Sequence, residues 1–168
     1  SKEGHVHYQR LRDALKHNPG IKNLAINPLM LTLLALLQQS GKTLPHRRIE
    51  LYQIVTRTLL DNWNQQTGRR AFPPDEIVLA EEMLSCLAYE MHSSDLLLTE
   101  AKVKEIACQT MTTFYKRGPT DKDIEQFIET IRQSSGLFVE GGQGLFCFMH
   151  RTFQEYYVAQ HLMPKPVD

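Results

Sequence analysis

Two short apolar runs, Leu137–Glu140 and Leu145–Met149, flank Gly141-Gly142-Gln143-Gly144. Strand-like runs joined by a glycine-rich turn predict a β-hairpin. Almost everything before this point carries apolar residues at helical spacing. Three helices lead into the hairpin and one follows it, which is the arrangement of a winged-helix domain. The hairpin therefore fixes the fold class: mainly α, with a helical subdomain followed by a winged-helix subdomain.

The helices can be placed from their caps. Val6 to His17 reads as a short amphipathic helix, stopped by Asn18-Pro19-Gly20. A second begins at Asn27-Pro28, with Asn27 as N-cap and Pro28 at the first helical position, where its missing N–H costs nothing. Leu29, Met30, Leu31, Leu33, Leu34, Leu36 and Leu37 cover nearly every face, so this helix is expected to be buried on all sides. The next runs from about Arg47 to Asn64, with Tyr52, Val55, Leu59 and Trp63 as its stripe, widened by Leu51 and Leu60. Gln65 to Pro74 is polar and ends in two prolines, which places a boundary near residue 70.

In the second half, a helix from Asp75 to Met91 turns Ile77, Ala80, Leu84, Leu87 and Met91 inward. Thr99 caps the next, with Val103, Ile106, Ala107, Met111 and Phe114 as its stripe. Thr120 caps a third, with Ile124, Phe127, Ile128 and Ile131 inward, stopped by Ser134-Ser135-Gly136. Phe153 to Leu162 forms the terminal helix. The expected division is 1–70 for the helical subdomain and 71–168 for the winged helix.

Charge supports this division. The chain has no net charge, yet residues 1–70 carry a balance of +7 and residues 71–168 a balance of −7. Oppositely charged parts attract each other, and a basic part also suits an anionic ligand; two ordinary solvated surfaces explain the split equally well. The three cysteines, Cys86, Cys108 and Cys147, form no Cys-x-x-Cys pair. With no apolar leader at the N-terminus, they read as reduced, buried thiols in a cytoplasmic protein. The run Leu29–Leu37 is about half of what a membrane span needs.

Phe148-Met149-His150-Arg151-Thr152-Phe153-Gln154-Glu155-Tyr156-Tyr157 joins the hairpin to the terminal helix. Thr152 and Glu155 have capping-box spacing. His150 then lies beside unpaired N–H groups at a helix N-terminus, chemistry that suits a phosphate. A satisfied structural histidine is the other reading, and the commoner one for a lone residue of this kind. Phe153, Tyr156 and Tyr157 read as core.

Other sites fail on spacing. Gly41-Lys42-Thr43 looks like the tail of a phosphate loop, but Leu36 stands where the first glycine is needed and a helix precedes it. His5 and His7 have no further ligands, and no His-Glu-x-x-His or nucleophile elbow occurs. Glu81-Glu82 and Asp121-Asp123 read as solvated faces. The third helix of the winged-helix part holds Asp121, Asp123, Glu125 and Glu129 against Lys122 and Arg132, which repels DNA phosphates.

Two segments carry a resemblance. Asn27–Leu37, Leu44–Tyr52 and Leu59–Trp63 resemble the helical subdomain of NACHT-type signal-transduction NTPases of the STAND class. Ser135–Glu140 and Phe146–Ala159 resemble the end of their winged-helix subdomain. The resemblance implies that Pro28 packs near the adenine of a bound nucleotide and that His150 contacts the β-phosphate of ADP, holding a closed resting state. It implies ADP and ATP as ligands, with magnesium bound elsewhere in the parent protein. The implied partners are an upstream P-loop core, a C-terminal sensor or repeat domain, and other copies of the active protein. No membrane partner is implied, and nucleic acid is not expected. Family members serve defence, cell-death and other signalling roles. On this reading the chain is a regulatory fragment without catalysis of its own, from an ATPase switch. A stand-alone winged-helix module that binds protein or DNA is the alternative.

Overall fold

The computed structural model describes residues 2–67, 72–94 and 97–163, with the side chains of 2–5, 62–67, Pro74 and Ser134 outside that description. The Trp63 and His5 side chains, named above, and most of the expected boundary segment fall outside it. The chain divides into two compact units, Ser1–Val55 and Thr56–Asp168.

The first unit holds α1 (Lys2–His17), α2 (Pro19–Leu24), α3 (Pro28–Gln39) and the start of α4 (Arg48–Thr67). Asn18-Pro19 does not merely end α1. Asn18 caps α2, accepting from the Gly20 and Ile21 N–H groups at 3.0 and 3.2 Å. Asn27 does the same for α3, accepting from Leu29 at 2.9 Å and Met30 at 3.4 Å. An asparagine carbonyl reaching the first free N–H groups, followed by proline, starts a helix in both places. Asn18 Nδ2 also lies 2.6 Å from His46 Nδ1, tying α2 to the loop before α4.

The expectation that α3 is buried on all sides is corrected here. Met30, Leu33, Leu34 and Leu37 face inward, whereas Leu31 is 38% and Leu36 47% exposed. Spacings of three and four residues make one inward stripe, and the remaining leucines point away from it. Gly41, at φ +69°, stops the helix in the left-handed conformation, so Gly41-Lys42-Thr43 is a helix stop.

The second unit holds the rest of α4 and then α5 (Pro74–Ser93), β1 (Leu98–Thr99), α6 (Glu100–Tyr115), α7 (Asp121–Ser135), β2 (Phe138–Gly142), β3 (Leu145–Phe148) and α8 (Arg151–Leu162). The units divide inside α4, earlier than the polar stretch near residue 70. Arg57 explains this locally: its guanidinium donates to both Glu81 carboxylate oxygens, at 3.0 and 3.2 Å. That pair raises the Arg57 pKa, and it makes Glu81 a partner of α4 rather than a solvated carboxylate.

α5 is the central helix of this unit. Leu79, Met83, Leu84, Leu87, Ala88 and Met91 are fully buried, and α5 packs against both α6 and α8. The small antiparallel sheet has the order β1-β3-β2. Leu98 pairs with Phe146 across β1 and β3, and Phe138 pairs with Phe148 across β2 and β3. Only every second residue of β3 faces the core, which selects Phe146 and Phe148. Both rings lie against Phe138, at centroid distances of 5.7 and 5.6 Å, and Phe148 also meets Tyr157 of α8 at 5.9 Å. The wing turns through Gly142, Gln143 and Gly144, all with positive φ, after an irregularity between Glu140 and Gly142. The predicted hairpin and terminal helix are present; β1, only two residues long, gave no periodic signal. The three cysteines are free and half-buried rather than buried.

Candidate functional site

The hairpin and α8 meet at His150. On the strand side, the Met149 N–H donates to the Leu137 carbonyl at 2.9 Å, carrying the hairpin pairing up to the junction. On the helix side, Phe153 and Tyr157 are buried, so the first turns of α8 are anchored in the core. His150 itself is extended, at φ −142° and ψ 131°, and is the N-cap of α8.

The imidazole serves as the cap. Nδ1 accepts from the Thr152 N–H at 3.3 Å and lies 2.9 Å from Thr152 Oγ1. An accepting Nδ1 carries no proton, which assigns the ring proton to Nε2. His150 is exposed, so the ring offers that Nε2–H donor at the protein surface.

This geometry replaces the expected Thr152–Glu155 capping box. α8 starts at Arg151, so Thr152 lies inside the helix and donates to the cap instead of being it. Glu155 pairs with Arg151 at 3.3 Å, one helical turn away. The consequence is electrostatic. The first turn of α8 contains no acidic residue, while those of α5, α6 and α7 contain Asp75 and Glu76, Glu100, and Asp121 and Asp123. A helix N-terminus carries partial positive charge, which nearby carboxylates offset. At α8 no first-turn carboxylate does so, and the charge of Arg151 is met by Glu155 one turn on. Arg151 was not singled out from the sequence; a tally of charge over each first helical turn would have found it.

Pro28 sits at the first position of α3, is exposed, and accepts from Thr32 Oγ1 through its carbonyl at 3.0 Å. It belongs to the first unit and His150 to the second. Among the described residues no group of His, Cys, Asp and Glu is placed to hold a metal ion, and no helix is long and apolar enough to cross a membrane.

The DNA alternative loses ground on the face where a winged helix would read a groove. Lys104 is held by Glu125 at 2.8 Å and Glu100 at 2.9 Å. Arg132 is held by Glu129 at 3.0 Å and Glu140 of the wing at 3.1 Å. Cations already bound to carboxylates release little on contact with phosphates. Asp123 of α7 is committed as well: with Thr120 it forms a reciprocal capping box, which lowers its pKa.

The model of the winged helix-turn-helix domain C-terminal to NACHT matches residues 48–162, from the first residue of α4 to the last of α8. No curated protein and no solved structure matches the chain. The domain so described is not itself catalytic. With its helices, its antiparallel wing and a match over more than half its length, this chain belongs to the family of winged helix-turn-helix domains that lie C-terminal to NACHT.

Proposed function

We propose that the chain is the regulatory part of a NACHT-type ATP/ADP-switched signalling NTPase, with His150 contacting the β-phosphate of ADP in the resting state. The observation that carries this reading is the start of α8. An exposed imidazole offers an Nε2–H donor beside a helix N-terminus with no first-turn carboxylate. These groups fit a phosphate, because each offers a donor or positive charge.

Pro28 contributes an apolar ring at an exposed helix start, suited to stacking on adenine. The exposed Leu31 and Leu36 of α3 fit packing against an upstream P-loop core, which would supply the phosphate loop and bind magnesium. Nucleotide exchange changes the number of phosphates, and a ligand that binds two conformations unequally shifts their populations. His150 is where this chain would sense that change. Loss of its contact would release the closed state and permit self-association in the parent protein, with a C-terminal sensor setting the threshold. We place the protein in the cytoplasm.

The test is His150→Ala in the NACHT-containing parent. ADP should be retained more weakly and basal signalling should rise. Unchanged ADP affinity together with unchanged basal signalling would overturn the assignment. The chain alone should bind ADP weakly or not at all by titration calorimetry, because the phosphate contact is one among several in this reading.

A further inference from the structure

We propose that the pocket lined by the start of α5, the end of α6 and one face of α7 binds a small zwitterion with an apolar or aromatic body, the class of free amino acids. The pocket encloses about 360 Å³. That is within the roughly 300–1,000 Å³ common for small-molecule sites. It lies wholly in the second unit and shares no residue with the start of α8.

The lining is mixed. Phe72, Met111 and Phe127 are buried and supply its apolar part. The Phe72 and Phe127 rings meet edge to face, with centroids 5.9 Å apart. Tyr115 follows Met111 by one helical turn and lines the pocket, whereas Phe114, expected on the core stripe of α6, is 36% exposed and does not. α6 then ends at the left-handed Lys116, and the guanidinium of Arg117 lies over the Tyr115 ring, 5.9 Å from its centroid.

Charge selects the ligand. Three formally charged residues line the pocket: Glu76, Arg117 and Asp123. Asp123 is engaged in the capping box with Thr120, and Arg117 acts on it only through space. Among the described residues Glu76 makes no hydrogen bond or ion pair, and Arg117 makes no ion pair. Burial, with Asp75 adding to it, raises the Glu76 pKa: the carboxyl has lost water without gaining a donor. Burial and then Glu76 raise the Tyr115 pKa while Arg117 lowers it, so both charges reach the same phenol. An amine alone would be repelled by Arg117, and a carboxylate alone by Glu76 and Asp123. A ligand carrying both charges complements both groups, and its body meets the aromatic part of the lining.

The probes are phenylalanine, phenethylamine, which lacks the carboxylate, and phenylpropanoate, which lacks the amine. Binding to this chain is read by NMR chemical-shift titration. Phenylalanine should bind saturably, with shifts at Met111, Tyr115 and Phe127, and each singly charged analogue should bind about tenfold or more weakly. Glu76→Gln should weaken phenylalanine binding without weakening that of phenylpropanoate. Arg117→Gln should weaken phenylalanine binding without weakening that of phenethylamine. Glu105→Gln should change none of the three, because Glu105 lies on α6 outside the pocket. Circular dichroism establishes that each variant is folded. No saturable binding, equal binding of the three probes, shifts confined to other residues, or equal loss in the Glu76 and Glu105 variants would overturn the proposal. So would urea unfolding in which the Glu76 and Arg117 substitutions cost less together than the sum of each alone, since the two charges would then be each other's partners.

Discussion

Two helix starts in the second unit solve the same problem differently. α7 is closed by its own residues. Thr120 accepts from the Asp123 N–H at 3.2 Å, while Asp123 Oδ2 accepts from the Thr120 N–H at 2.9 Å and from its hydroxyl at 2.8 Å. α8 is capped by His150, whose Nδ1 is engaged and whose Nε2–H is left to donate elsewhere. A carboxylate offsets the positive end of α7; no first-turn carboxylate does so at α8. The difference separates a terminus built for stability from one whose cap still has hydrogen-bonding capacity. Both lie in one domain and share one core, so composition alone does not account for the contrast.

The largest effect that would break this comparison lies in the anchor. Phe153, in the first turn of α8, is buried, and Phe153→Ala should cost about 3–5 kcal/mol in urea unfolding through the cavity it leaves. A cost near zero would mean that packing does not anchor the start of α8 in the core. Next comes Thr120→Ala, expected to cost about 1 kcal/mol by loss of the cap. His150→Ala should cost about 0.5 kcal/mol, because its longer cap bond is exposed. If the histidine variant proved the more destabilised of the two, His150 would be a structural cap first and a ligand contact second. The same His150→Ala change should still weaken ADP retention in the NACHT-containing parent, measured as the ADP off-rate.

The smallest effect is a pH dependence. Hydrogen bonds from the Thr120 backbone and side chain lower the Asp123 pKa. A carboxylate lowered in the folded state stabilises the fold above the ordinary aspartate range, and that contribution is lost as pH falls through the lowered value. Asp123→Asn should therefore be less stable than the unsubstituted chain at neutral pH, with the gap closing in strong acid. Thermal unfolding across the acid range checks the sign. A gap that widened toward low pH would show that Asp123 is not the acceptor of a closed box.

Much of this is legible in the sequence alone, and the differences have physical causes. Asn27-Pro28 was read as a helix start and is one. Asn18-Pro19 carries the same two residues and also starts a helix, α2, but it followed a helix pattern and was read only as a stop. The capping box at Thr152 and Glu155 had the right spacing and the wrong cap, because the side chain one step before Arg151 is a ring that can accept. Trp63 was expected on the α4 stripe, but its side chain lies outside the described residues. Glu81 was read as solvated, and Arg57 lies 24 positions away in sequence, too far for helical spacing to reveal the pair.

The sequence by itself determined where most helices start and stop, the hairpin and its glycine-rich wing, and the one histidine between strand and helix. Those features depend on residues a few positions apart, whose side chains reach neighbouring backbone groups whatever the rest of the chain does. Tertiary structure decided the choices that local patterns leave open. It turned Leu31, Leu36 and Phe114 outward from helices that look apolar on most faces, and it joined Arg57 to Glu81. It also set a single accepting nitrogen against Thr152, so that His150 keeps its other nitrogen as a donor. Which side of a helix is covered, and which atom of a ring is used, follow from what packs beside them in space.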